Sequence, residues 1–184
     1  SIDGTLDVLR RFKAEEDVEN KITIVVAEDE GYPDGFWPGE KDEQSQAYAK
    51  RATGEWLWQV DIDEFYQPED IQRVCEYLVA YPDVTCLTFD VHHFWGGFDY
   101  LVEGGLFMSR QFLGDPWGAC RRIFKWGPGF RYVTHQPPIV HDDHGTDLRT
   151  LQWVRPETTE RMGIRMYHYS HLLPCQMEQK AHVY

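Results

Sequence analysis

Apolar positions along the first half of the chain recur first at helical spacing and then in short unbroken runs. Leu6, Leu9 and Phe12 stand three apart, so residues 5–12 read as a helix that Thr5 can cap. Residues 21–27 (KITIVVA) form a continuous β-branched run, the pattern of a strand covered on both faces. A loop rich in Gly, Pro and acids follows over residues 28–39. Residues 41–53 then form a helix whose buried side is small (Ala47, Ala52), stopped by Gly54. Residues 55–60 (EWLWQV) are a second short strand, and residues 84–91 a third. Between them Pro68 opens a helix with Glu69 and Asp70 beside the positive end of its dipole. Its apolar positions Ile71, Val74, Cys75, Leu78 and Val79 fall on one stripe. Alternation of helix and strand predicts a parallel α/β sheet with right-handed crossovers.

The second half has another texture. Residues 98–110, 119–126 and 130–134 are short, aromatic and Gly-punctuated, which predicts antiparallel strands joined by long loops. Short helices are expected near residues 155–162 and 174–184. No linker interrupts the chain, so all 184 residues are expected in one domain.

Composition and charge narrow the function. The formal net charge of -13 argues against nucleic acid, which needs a basic surface to displace counterions. It is compatible with a phosphorylated ligand bridged to acids by a divalent cation. The four cysteines, Cys75, Cys86, Cys120 and Cys175, make no C-x-x-C pair, so they read as buried thiols of a reducing compartment rather than zinc ligands. No apolar run approaches the ~20 residues that span a bilayer. Trp37, Trp95, Trp117 and Trp126 adjoin Gly and Pro and are expected in loops, either stacking on sugars or bases or folding back on the core.

The chemistry concentrates at Asp61-Ile62-Asp63, directly after the second strand. Ligands of open α/β sheets bind beyond the carboxyl ends of strands. Residues two apart in extended chain point to one side. Two carboxylates there make an oxygen-rich site for Mg²⁺ or Mn²⁺. Such a metal would clamp a diphosphate and neutralise its charge as it leaves. The bland reading is a pair of turn-capping acids.

Residues 41–74, from Lys41 through Ala52-Thr53-Gly54-Glu55-Trp56 to Asp61-Ile62-Asp63-Glu64, resemble the middle of a family-2 glycosyltransferase of the GT-A fold. Ser1-Ile2-Asp3-Gly4-Thr5 resembles the turn after that family's first strand. Arg122-Ile123-Phe124-Lys125, then Gly129-Phe130-Arg131-Tyr132 with His135, then Tyr167-His168-Tyr169-Ser170-His171 and Lys180, are similar to the C-terminal half of the branch containing lipopolysaccharide core transferases. The resemblance implies a three-layer α/β/α fold with a mainly parallel central sheet and an antiparallel, loop-rich C-terminal half. It implies a cytoplasmic enzyme, peripheral to a membrane, that takes a UDP- or GDP-type nucleotide-sugar donor and a glycan or other hydroxyl acceptor.

The same resemblance implies roles. Asp61 lies by the ribose or the metal, Asp63 ligates Mn²⁺ or Mg²⁺, and His168 completes the metal site, with His171 as competitor. Asp3 and Lys41 fall near the nucleotide. The family's first strand would precede Ser1, so the chain is expected to lack it. Relatives often carry His-Glu where this chain has His135-Gln136, and an amide cannot act as a general base. The base of an inverting transfer is therefore sought at Asp142 and Asp143, with Glu103 and Glu64 as alternatives. His92 and His93 read as structural. Rival readings are a sugar nucleotidyltransferase and a non-catalytic carbohydrate-binding or degenerate transferase domain.

Overall fold

The structure, a computed structural model, describes residues 4–37, 41–102, 121–135 and 137–183. The chain is a mixed α/β protein whose contacts fall into two compact units, residues 1–51 and 52–184.

The first unit holds α1 (Thr5–Glu16) and α2 (Lys41–Ala49). The first helix forms where expected, but Gly4 rather than Thr5 stands at its N-cap, and Leu9 and Phe12 are exposed. Residues 21–26 are not a strand. A β-branched run becomes one only when a neighbour offers a hydrogen-bond ladder, and none pairs with it among the described residues. Its first backbone groups are held locally instead. The Asp17 carboxylate accepts the N–H groups of Lys21 and Ile22, at 2.7 Å each, and Lys13 Nζ donates to the Ile22 carbonyl. A single 3₁₀ turn, Ala27–Glu30, follows. Glu30 pairs with Lys50 and Arg51, and its carboxyl is held below the usual range first by the Lys50 hydrogen bond. Along α2 the buried side is small, as expected, and consists of Ser45, Ala47 and Ala49.

The second unit holds the rest: β1 (Trp56–Trp58), β2 (Glu64–Phe65), α3 (Pro68–Ala80), β3 (Cys86–Thr88), β4 (Asp90–Trp95), β5 (Arg121–Lys125), β6 (Arg131–His135), β7 (Pro138–His141), β8 (Trp153–Val154), α4 (Pro156–Arg161), β9 (Arg165–His171) and α5 (Pro174–Val183). A four-stranded sheet runs β1-β5-β3-β8, a three-stranded sheet β2-β9-β4, and β6-β7 is a hairpin. The expected mainly parallel sheet is corrected to small mixed ones. In the larger sheet β1, β3 and β8 share one direction, yet β5 lies between β1 and β3 and pairs antiparallel with both.

The chain passes from the four-stranded to the three-stranded sheet three times: between β1 and β2, at Phe89 between β3 and β4, and through α4 between β8 and β9. A strand leaving one sheet for another strands backbone groups that must find other partners. At the second crossing the buried Thr159 hydroxyl supplies them. It accepts the Asp90 N–H at 3.2 Å and lies 3.1 Å from the Thr88 carbonyl and 2.9 Å from that of Pro156.

The core of this unit is Val74, Leu78, Val84, Leu87, Phe89, Ile123, Val154, Ile164 and Met166, with Trp56, Trp58 and Tyr66 packed on it. Helix α3 spans the expected residues, but its stripe is narrower. Val74 and Leu78 are buried together with Asp70, while Ile71, Cys75 and Val79 face outward. Asp70 tolerates burial because it pairs with Arg73 and accepts the Arg165 N–H at 3.3 Å. Of the cysteines, Cys86 is buried as expected, Cys75 and Cys175 are exposed, and Cys120 lies outside the described residues. Trp126 folds back on the core, Trp95 ends β4, and Trp117 lies outside the described residues.

Ile123 has no exposed surface, whereas Val79 is 83 % exposed. Ile123→Ala should therefore cost about 2–5 kcal/mol of unfolding free energy. Val79→Ala should stay within about 0.5 kcal/mol of the parent. Urea titration of the two variants measures the contrast.

Candidate functional site

The Asp61-Ile62-Asp63 segment occupies the first crossing between sheets. It is a tight turn in which the Glu64 N–H donates to the Asp61 carbonyl at 3.0 Å, and the Asp61 N–H donates to Glu64 Oε2 at 3.2 Å. Ile62 projects into solvent at the tip, and the two aspartates are only partly covered.

The anchor of the turn is Glu64, which is buried and faces the buried Arg122 at the start of β5. Arg122 Nε donates to both carboxylate oxygens, at 2.9 and 2.8 Å, and Nη2 donates to Oε1. Nη1 bonds the Arg121 carbonyl at 3.0 Å, and Nη2 reaches Asp61 Oδ2 at 3.5 Å. Burial alone would ease the proton off Arg122, but the hydrogen bonds and charge of Glu64 more than offset this and hold it cationic. Beneath the turn, Tyr66 packs edge-on against Trp58, with ring centroids 4.9 Å apart, and lies at the same distance from Phe89. Burial, and after it the Glu64 charge, pushes the Tyr66 phenol well above its ordinary value, so it stays neutral.

Asp63 faces the other sheet partner. Its carbonyl accepts the Tyr169 N–H at 2.9 Å, which fastens the turn to β9. The Ser170 hydroxyl donates to Asp63 Oδ2, and His168 Nε2 lies 3.6 Å from the same oxygen. Ser170 Oγ is also 2.6 Å from His168 Nε2, and His168 Nδ1 is 2.9 Å from Nδ1 of His93 on β4. Asp63 and His168, singled out from opposite halves of the sequence, are thus neighbours. They meet because β2 and β9 pair antiparallel with Glu64 opposite His168. His171 does not compete. Its segment is a strand, so positions three apart lie on opposite faces, and His171 stacks on Trp95 with centroids 4.8 Å apart.

The expected bases are placed differently. Asp142 organises its own loop. Its Oδ1 accepts the Thr146 N–H at 2.7 Å and the His144 N–H at 2.9 Å. The Thr146 backbone bond is the first cause holding its carboxyl below the usual range, which makes it a weak proton acceptor. Asp143 packs on Gly129, where an added Cβ would come within 2.8 Å of its Cβ at a φ of +83° that already favours glycine. Gly129 follows the end of β5, whereas Arg122 and the aspartates stand at its start, so roughly 13 Å of strand separates the two regions. Glu64 is committed to Arg122. Asp3, Glu103 and Gln136 lie outside the described residues. Lys41 is the exposed first residue of α2, in the first unit.

Three contributors were given no role at the site from sequence: Arg122 and Ser170 figured only in the resemblance, and His93 was read as structural. Arg122 carried a signal: neighbouring arginines in an apolar strand cannot both reach solvent, so a buried acid was required. Ser170 and His93 carried none, because each matters only through what β9 and β4 place beside it. Among the described residues no helix is long and apolar enough to cross a membrane, and no group of three or more His, Cys, Asp or Glu side chains forms a metal cage. The sequence matches no protein-family model and no curated protein.

Two outcomes are expected. Arg122→Leu leaves Glu64 buried and unpaired and should cost about 3–5 kcal/mol, with much of the loss recovered in the Arg122→Leu, Glu64→Leu double variant. Guanidinium unfolding of the three proteins checks this. The depressed Asp142 carboxyl stabilises its loop fully above the ordinary aspartate value of 3.8 and loses that contribution as pH falls through its own lower value. Amide exchange at His144 and Thr146 should accelerate in that acid window, and should be already fast in Asp142→Ala.

Proposed function

We propose that the chain is a catalytic domain of GT-A type that uses Mn²⁺ or Mg²⁺ to transfer a sugar from a nucleoside-diphosphate donor to an acceptor hydroxyl. The observation that carries this reading is the approach of Asp63 Oδ2 and His168 Nε2 to 3.6 Å, on a turn that also presents Asp61.

The donor set fits the ion. Metal–ligand bonds near 2.1 Å put adjacent ligands about 3 Å apart and opposite ones about 4.2 Å apart. The observed 3.6 Å is about 0.6 Å more than adjacent ligands require, so Asp63 and His168 would have to close slightly on the ion. A carboxylate with a neutral imidazole suits Mn²⁺. Two protein ligands are the expected share where substrate phosphates and water complete the shell, as is usual for Mg²⁺. When bound, the metal supplies charge neutralisation for the departing diphosphate.

The chain's own residues do the rest. Arg122 and Glu64 fix the backbone of the turn. Asp61, partly exposed and steadied by Arg122, is the group aimed at the donor's ribose or the metal. Asp63 and His168 hold the metal edge. Of the Asp142–Asp143 loop only Asp143 keeps its carboxylate out of the loop's backbone bonds, and because it stands roughly 13 Å along β5 from the aspartates, a base role for it requires an acceptor that spans that distance.

The test is hydrolysis of UDP- and GDP-sugars with and without Mn²⁺. Turnover should require the cation and fall at least a hundredfold in Asp63→Ala and His168→Ala, with circular dichroism unchanged. Asp143→Asn should lower transfer while sparing Mn²⁺ binding. Cation-independent glycan binding without donor turnover would identify a binding module instead and overturn the reading.

A further inference from the structure

His93 was expected to be structural, yet it sits directly across the parallel β4–β9 ladder from His168. The rings meet at 74° with centroids 4.9 Å apart, and the two Nδ1 atoms are 2.9 Å apart. We propose that His93 is a positioning residue for the metal site, which fixes the His168 ring and lets its tautomer invert so that Nε2 is offered to a cation. This rests on the metal-dependent reading given above.

The argument is a count of protons. A neutral imidazole carries one N–H, and a hydroxyl has one proton to give. Asp63 is a carboxylate and only accepts, so the Ser170 proton is spent on it. The 2.6 Å contact between Ser170 Oγ and His168 Nε2 must then be donated by His168. With that proton on Nε2, His168 Nδ1 is an acceptor, and the 2.9 Å contact to His93 is donated by His93 Nδ1. The protons thus run one way, from His93 through His168 and Ser170 to Asp63.

In that arrangement the His168 Nε2 lone pair is not available. A cation needs the proton moved to Nδ1, and Nδ1–H then needs an acceptor at 2.9 Å in a partly buried place. Histidine at position 93 meets both demands with both rings neutral throughout. Its Nδ1 proton passes to His168 Nδ1, and the proton leaving His168 Nε2 is replaced, by exchange through solvent, on His93 Nε2, so that His93 Nδ1 donates in one tautomer and accepts in the other. An aliphatic residue would do neither. A lysine could only donate, and would hold His168 in the form that refuses the metal.

The experiment uses Mn²⁺ with UDP as probe and reads binding by electron paramagnetic resonance in the parent, His93→Leu, His93→Asn and His168→Ala. Asparagine places a donor and an acceptor near the original Nδ1. The parent and His93→Asn should bind within about threefold of one another. His93→Leu should bind about 10–100-fold more weakly, the usual loss when a ligand histidine is deprived of its outer partner. Thermal melting should show all variants folded. In the parent, ¹⁵N spectra should show His168 protonated at Nε2 without metal and at Nδ1 with saturating Mg²⁺ and UDP. Parent-like binding by His93→Leu overturns the proposal, as does equal weakness of the Asn and Leu variants or an unchanged His168 tautomer. A parent without any Mn²⁺ site sinks the metal reading itself, a result distinct from failure at His93 alone.

Discussion

The bond between Arg122 and Glu64 does two jobs with one pair of side chains. It neutralises an acid inside the protein, and it holds the turn on which the two aspartates stand. Neither partner is tolerable alone in that position, because a buried ion without its counterion costs far more than the pair gains over apolar residues. The pair is therefore weak as a source of net stability and strong as a source of specificity. It ties the turn at two points, since Glu64 reaches both the guanidinium and the Asp61 N–H.

The same need recurs wherever the chain changes sheets. At the first crossing the free backbone groups are served by Glu64, and at the second by Thr159. In both places a polar side chain is buried because the backbone requires a partner there. The difference is electrical. Thr159 is neutral and closes its site completely, whereas Glu64 brings in a cation, which in turn steadies the half-exposed Asp61. One crossing is thereby sealed and the other left with carboxylates at its surface.

Much of this was legible in the sequence, and the limits have physical causes. Helix α3 could be read because its caps and its start are local. The aspartates could be located because a short apolar strand runs into them. Pairing could not be read. Residues 21–26 have strand composition without a strand's partner, and β5 inserts between β1 and β3 although nothing in its own five residues specifies neighbours. Asp70 shows the same limit on a smaller scale. It reads as a first-turn acid, and it is that, but burial beside the Arg165 N–H depends on a strand far along the chain. His168 could be nominated through resemblance, while Ser170 and His93 become meaningful only after β9 has been laid beside β2 and β4. Asp142 and Asp143 show the converse. A loop dense in acids and histidines looks catalytic, but one carboxylate is consumed by the geometry of the turn.

The contact between β9 and its two neighbours has a thermodynamic consequence. Asp63, His93 and His168 come from three separated stretches and meet only when the β2-β9-β4 sheet is complete. The denatured chain has no such grouping at any appreciable population. A ligand that bridges these side chains must consequently discriminate almost wholly in favour of the native state, and its binding energy adds directly to resistance against heat and denaturant.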